Sequence, residues 1–245
     1  MSTLADNLHR VQERIDAAAR RAGRDPIEIT LVAVTKTQPV ETIVEACELG
    51  LRHFGENRAE EAAGKIPAVQ STIRALPSGI VWHMIGHVQS RKAAPVVGLF
   101  EWVHSVDSLK LAERLSRLAA SQDKTLQVLL EFNLAGEASK YGLRLARDTV
   151  DGELLREIEA ITSLPNLHVD GLMTMAPMAP DSEQARPVFR ALRELRQKLT
   201  DRLPHCAWRH LSMGMTDDFE VAIEEGATIV RIGRAIFGER RPPSA

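Results

Sequence analysis

The sequence predicts an α/β protein, a (β/α)8 TIM-type barrel with one extra helix ahead of the first strand. Three observations carry that prediction. Eight short runs rich in apolar and β-branched residues recur along the chain, stretches of helical periodicity separate them, and no Pro/Gly/Ser linker divides the 245 residues. Strands alternating with helices define a parallel sheet, and eight of them close into a barrel at a length typical of that fold. One domain over residues 1–245 is therefore expected. A doubly wound open sheet is the competing architecture. It usually carries a GxGxxG after the first strand or a Walker sequence, and neither is present.

The elements follow in order. Leu4, Leu8, Val11, Ile15 and Ala18 recur at three- and four-residue spacing and predict an amphipathic helix over Leu4–Arg21. Ile29–Lys36 is a β-branched run ended by Thr37-Gln-Pro39, a strand followed by a helix that reaches Gly50. Cys47 in that helix reads as a small buried apolar residue. His53–Asn57 is a second, short strand before another helical stretch. Further strands are expected at Val81–Gly86, Trp102–Asp107, Leu126–Ala135, His168–Met175, Trp208–Met213 and Thr228–Ile232. The clearest intervening helices are Leu109–Ser121, Glu153–Ile161, Ala185–Leu203 and Asp217–Glu225, the last opening with Asp217 and Glu220 at capping-box spacing. On the charged helix, Val188, Leu192, Leu195 and Leu199 form the inward stripe.

Composition narrows the function classes. With 44% hydrophobic and 26% charged residues the chain can bury a sizeable core. A net charge of −2 gives no general basic footprint for nucleic acid or anionic membrane. The two cysteines belong to no CxxC, which excludes a disulfide framework or a zinc ribbon. The amino end lacks a signal-peptide layout and no apolar run approaches a membrane span. A soluble protein of the reducing cytoplasm is expected.

Barrel chemistry sits at the carboxyl ends of the strands. Lys36 shares its parity with Val32 and Val34, which points it into the barrel mouth. There its amine is either a nucleophile toward a carbonyl or a lysine reaching from a strand end to water. Strands seven and eight supply Leu211-Ser-Met-Gly-Met-Thr216 and Gly233-Arg234, a loop pair that in barrels often binds phosphate. The same glycines also suit ordinary turns. Arg231 shares parity with Ile229 and Gly233, so its guanidinium faces the mouth, either to pair with Glu131 or to donate to an acceptor nitrogen of a bound ring. An amine for an aldehyde, a phosphate cup and a ring-nitrogen partner are together what a pyridoxal 5′-phosphate site needs. His83 and His87 have no third ligand to make a metal site. Met173, Met175 and Met178 read as packing and a cavity wall.

Seven motifs carry a resemblance: Leu31-Val-Ala-Val-Thr-Lys-Thr, His53-Phe-Gly-Glu-Asn, Trp82-His-Met-Ile-Gly-His-Val-Gln, His104-Ser-Val-Asp, Gly171-Leu-Met-Thr-Met, Leu211-Ser-Met-Gly-Met-Thr-Asp-Asp and Val230-Arg-Ile-Gly-Arg-Ala-Ile-Phe-Gly. In their order and strand-end placement the chain resembles, over nearly its whole length, the pyridoxal phosphate homeostasis proteins (the YggS/PROSC family), whose fold is like the barrel domain of alanine racemase. The resemblance implies pyridoxal 5′-phosphate as cofactor, with Lys36 as the Schiff-base lysine. It places Ser212, Gly233 and Arg234 around the phosphate, Arg231 at the pyridine nitrogen, and Asn57 and Met213 along the cofactor, with His83, Met173 and Gly214 nearby. Arg58-Ala-Glu-Glu and His87-Val depart from the family's usual pattern. The implied function is a carrier that buffers the cofactor or passes it to apoenzymes, as a monomer and without robust catalysis. A pyridoxal phosphate enzyme such as a racemase is the alternative, and an aldolase using Lys36 a remoter one. The sequence ends at Ala245 without the carboxyl-terminal β domain that brings alanine racemases their opposing tyrosine, and Tyr141 has no clear claim to that role.

Overall fold

The computed structural model describes residues 3–73, 79–137, 141–145 and 149–239. Eight parallel strands close into one barrel in chain order. They are β1 (Thr30–Val34), β2 (His53–Glu56), β3 (Val81–Met84), β4 (Trp102–Val106), β5 (Leu126–Glu131), β6 (Leu167–Met173), β7 (His210–Ser212) and β8 (Ile229–Ile232). Closure is made by β1 on β8, with Thr30 opposite Ile229 and Val32 opposite Arg231. The helices are α1 (Leu4–Arg21), α2 (Val40–Glu48), α3 (Ala59–Thr72), α4 (Ala93–Leu99), α5 (Leu109–Ala120), α6 (Gly152–Thr162), α7 (Arg186–Arg202), α8 (Phe219–Glu224) and α9 (Arg234–Phe237). None of the described helices is long and apolar enough to cross a membrane.

The extra helix α1 is the amphipathic one expected. Thr3 caps it and Asp6 completes the capping box, while Val11, Ile15, Ala18 and Ala19 are its buried stripe. That stripe packs against α8 and α9, and Asn7 Nδ2 donates to the Ile236 carbonyl at 2.9 Å. The first helix therefore clasps the last quarter of the chain.

Period-two alternation divides the strand side chains between two cores. The large one lies between barrel and helices. A small one of Val32, Leu129, Met173 and Ile229 fills the barrel interior, which bears out the parity read for Val32 and Ile229.

Two local expectations need correction. The strand expected to run to Ala135 ends at Glu131, because the chain then turns to meet its own return: Asn133 N donates to the Leu143 carbonyl and Leu143 N to the Glu131 carbonyl. The helix expected to start at Asp217 starts at Phe219 with Asp218 at its N-cap. Asp218 spends its carboxylate on the backbone N–H of Met215, and Asp217 turns outward to Arg234, so no capping box forms.

Candidate functional site

A cavity of about 280 Å3 opens at the carboxyl ends of the strands. Most of its wall comes from strand-end segments, with Asp181, Ser182 and Ala185 added from the turn that leads into α7. Val34 ends β1 and Lys36 follows it, Asn57 follows β2, Ile85 follows β3, Met175, Pro177, Met178 and Ala179 follow β6, Met215 to Asp218 follow β7, and Arg231, Gly233 and Arg234 come from β8 and the turn beyond it. Lys36 is half-buried, on the parity of Val32 and Val34.

The backbone on both sides of Lys36 is clamped. Lys65, on the inner face of α3, donates to the Thr35 carbonyl at 2.8 Å, to Glu56 at 2.8 Å and to Glu61 at 2.7 Å. Glu61 in turn accepts from the Thr37 backbone N–H at 2.6 Å. Thr37 needs that hold, since its φ of 65° lies in the left-handed region, costly for a β-branched residue. Burial pushes the Glu56 carboxyl up, against the hydrogen bonds from Lys65 and Thr35 that hold it down.

Arg231 is 4% exposed and reaches the cavity from inside the barrel. Its guanidinium donates to Ser212 Oγ at 2.5 Å and to the Thr174 carbonyl at 3.0 Å. Glu131, the partner considered for it, makes no ion pair with it among the described residues. Burial pushes the Glu131 carboxyl up to about 7, with Asp107 adding to the rise and Arg231 opposing it. Desolvation lowers Arg231 to about 10, against Glu131 and Asp218.

The β7 and β8 loops lie against each other, as a phosphate cup requires. The Ala235 backbone N–H donates to Thr216 Oγ1 at 3.5 Å, and Arg234 pairs with Asp217. Asn57 Oδ1 is buried yet has no hydrogen-bond partner among the described residues, so a donor-bearing ligand would satisfy it. Asn57 is pinned from behind by Gly86, where a Cβ would stand 2.3 Å from the Asn57 carbonyl oxygen.

Lys36, Asn57, Arg231, Gly233 and Arg234 thus meet at one cavity. The other expected site residues lie outside its lining. Ser212 is fully buried and turns its hydroxyl into the barrel; from the β7 loop it is Thr216 that lines the cavity. His83 is buried beside His53 and His104. Met173 belongs to the interior cluster below the mouth, and Met213 faces the helices. Gly214 has φ +92° and a Cβ there would lie 2.6 Å from Ala222 Cβ, so α8 packing accounts for this glycine. Tyr141 is exposed and stacked on His87 at 3.5 Å, outside the cavity wall. Sequence reasoning missed the role of Lys65, although Glu61 and Lys65 stand at i,i+4 on a helix face whose other members, Ala62, Ile66 and Val69, are apolar and buried. Among the described residues no group of three or more His, Cys, Asp or Glu could hold a metal ion.

Residues 7–241 match the family model of the alanine racemase N-terminal domain. The chain is similar to the pyridoxal phosphate homeostasis protein of Pseudomonas aeruginosa, 45% identical over 98% of this chain and 97% of that protein. It is also similar to the protein of the same name from Escherichia coli K12, 42% identical over 98% of each. Among solved structures, PipY of Synechococcus elongatus with PLP bound is 33% identical, with a TM-score of 0.79 over 96% of this chain and all of that one. Fold, strand-end motifs and full-length identity agree, and the chain belongs to the alanine racemase N-terminal domain family, within it to the pyridoxal phosphate homeostasis proteins.

Proposed function

We propose that this protein binds pyridoxal 5′-phosphate in the barrel mouth and serves the homeostasis of that cofactor as a carrier, holding it on Lys36 and releasing it to apoenzymes. The observation that carries the reading is the convergence of Lys36, the partnerless Asn57 Oδ1, the buried Arg231 and the Thr216 and Gly233-Arg234 loops on one cavity. When bound, the cofactor supplies an aldehyde that captures a primary amine reversibly and a ring that accepts electron density.

The chain's own residues have separable tasks. Lys36 offers its amine, fixed in position by the clamp on Thr35 and Thr37. Arg231 presents N–H groups to an acceptor, and because a guanidinium keeps its protons it is a donor there and not an acid. A ring nitrogen facing such a donor stays unprotonated, which weakens the ring as an electron sink. Thr216, Gly233 and Arg234 supply a hydroxyl, backbone and a cation for phosphate. Met175, Pro177 and Met178 form an apolar wall.

The engagement of the carboxyls on the cavity wall favours storage over turnover: Asp217 pairs with Arg234, Asp218 accepts from the Met215 N–H and Asp181 from the Glu183 N–H. Racemisation by two bases needs a second proton carrier on the face opposite the lysine, and the described lining of the cavity contains no tyrosine or histidine.

The test is covalent trapping. The purified chain incubated with pyridoxal 5′-phosphate and reduced with borohydride should carry the cofactor's mass on the peptide containing Lys36, and Lys36→Ala should lose it while retaining its fold. Label on another lysine, unchanged in Lys36→Ala, would overturn the assignment. Loaded protein should exchange no α-deuterium into alanine at enzyme-like rates; rapid exchange would favour a racemase.

A further inference from the structure

The barrel interior holds a polar chain that the cavity chemistry leaves unused. His53 Nδ1 lies 3.0 Å from His83 Nε2, His83 Nδ1 lies 2.9 Å from His104 Nε2, and His104 Nδ1 lies 2.9 Å from Ser212 Oγ. Ser212 Oγ is the oxygen that accepts from Arg231. The chain passes from β2 through β3 and β4 and then crosses the barrel to β7 and β8. Its outer end, His53, is half-buried; His83, His104 and Ser212 are at most 1% exposed.

One end fixes the direction of every bond. A guanidinium only donates, so Ser212 accepts from Arg231 and has one proton left to give. His104 Nδ1 is the acceptor in reach. A neutral His104 that accepts at Nδ1 carries its proton on Nε2 and gives it to His83 Nδ1. His83 then carries its proton on Nε2 and gives it to His53 Nδ1. Ser212, His104 and His83 each accept once and donate once, and His53 accepts at the outer end. The opposite polarity would leave the Ser212 proton without an acceptor, since Oγ would then receive from both Arg231 and His104. Burial holds both His83 and His104 well below the ordinary imidazole value, so each is the neutral ring this scheme needs.

The direction has an electrostatic meaning. All lone pairs in the chain point toward Arg231, and each bond polarises the next. A buried guanidinium ordinarily takes a carboxylate partner. Here Glu131 and Asp218 act on it only through space, and its direct bonds go to a hydroxyl and a carbonyl.

We propose that His53, His83, His104 and Ser212 are positioning residues for Arg231, an oriented chain of neutral dipoles that keeps the guanidinium charged and aimed at the cavity without a carboxylate in contact. The ligand group this prepares for is a neutral acceptor, such as an unprotonated ring nitrogen; a contacting carboxylate would divert the guanidinium's remaining N–H groups. The inference rests on the proposed cofactor reading only for what Arg231 faces.

The test separates the two. Nitrogen NMR of 15N-histidine-labelled, cofactor-free protein at neutral pH should show His83 and His104 as Nε2–H tautomers, and Ser212→Ala should disturb both, because it removes the proton that sets the direction. A Nδ1–H or doubly protonated ring at either position, or spectra unchanged in Ser212→Ala, would overturn the chain. In loaded protein, His104→Leu should release pyridoxal 5′-phosphate about tenfold faster, the effect of weakening one hydrogen bond to a charged group. His104→Asn, whose Oδ1 can accept from Ser212, should restore most of the loss; equal release from the Leu and Asn variants would refute positioning. If native protein fails to retain the cofactor, the carrier reading falls and the tautomers still decide the chain.

Discussion

Lys65 is a surface-type residue placed inside the protein, and removing its charge should have a cost that can be worked from its contacts. Its ammonium holds Glu56, which is fully buried, and Glu56 Oε1 has one other hydrogen bond, from the Thr35 hydroxyl at 2.7 Å. Lys65→Met keeps the stem and strands a buried carboxylate, which typically costs about 3–5 kcal/mol. At about 2–4 °C per kcal/mol for a domain of this size, the melting temperature should fall by roughly 6–20 °C. The loss should depend on pH. Without the ammonium, burial raises the Glu56 carboxyl further, so a raised folded-state value confers stability below the ordinary carboxylate range and loses it as pH rises. The deficit against the native protein should therefore be larger at pH 8 than at pH 4.5. Glu56→Gln in the same chain should recover much of it by removing the stranded charge. Thermal unfolding of the single and double variants at both pH values measures all of this. A deficit below about 1 kcal/mol, or one that Glu56→Gln deepens at pH 8, would refute the clamp as the anchor of the Lys36 backbone.

Glu131 should titrate in the cofactor-free protein. Its folded value near 7 lies above the ordinary 4.5, so its contribution is fully present below 4.5 and is lost as pH rises through 7. Glu131→Gln should then be more stable than the native chain at pH 8, by up to about 3 kcal/mol, and nearly equal to it at pH 4.5. Urea unfolding decides it, and a variant less stable at pH 8 would mean the carboxylate supports Arg231 directly. At the loop pair, Thr216→Val with Arg234→Ala should weaken retention of pyridoxal 5′-phosphate tenfold or more and leave unphosphorylated pyridoxal nearly unaffected. Equilibrium dialysis with both compounds checks this, and equal loss would remove the phosphate from these loops.

The fold was legible because barrel patterning is local. β-branched runs at regular spacing give the strands, and parity along a strand tells Val32, Lys36, Ile229 and Arg231 which way to point. The cavity was legible for the same reason at Lys36, Asn57, Gly233 and Arg234. What the sequence could not yield is contact across the barrel. Ser212 and Thr216 both carry hydroxyls in one loop motif, and only the place where β7 stops decides that Thr216 reaches the cavity while Ser212 turns to His104. Glu131 and Arg231 are of opposite charge and correct parity, yet the hydroxyl and carbonyl nearer the guanidinium take its bonds. His83 looked like a cavity residue from its strand-end motif, and its strand carries it instead into a row of imidazoles no spacing rule would join.

The clasp of α1 on α8 and α9, together with the pairing of β1 with β8, also dictates the order of events during synthesis. These contacts join residues about two hundred positions apart: Arg24 donates to the carbonyls of Ile223 and Ala227, and Thr30 N donates to the Thr228 carbonyl. Such distant contacts are made late, because the entropy of closing the intervening chain is spent before they reward it. Lys36 emerges from the ribosome early, whereas Arg231, Gly233 and Arg234 emerge nearly last. A nascent chain holding the lysine therefore has no cavity around it until the final strand has docked, and on the proposed reading only a chain whose ring has shut would retain the cofactor.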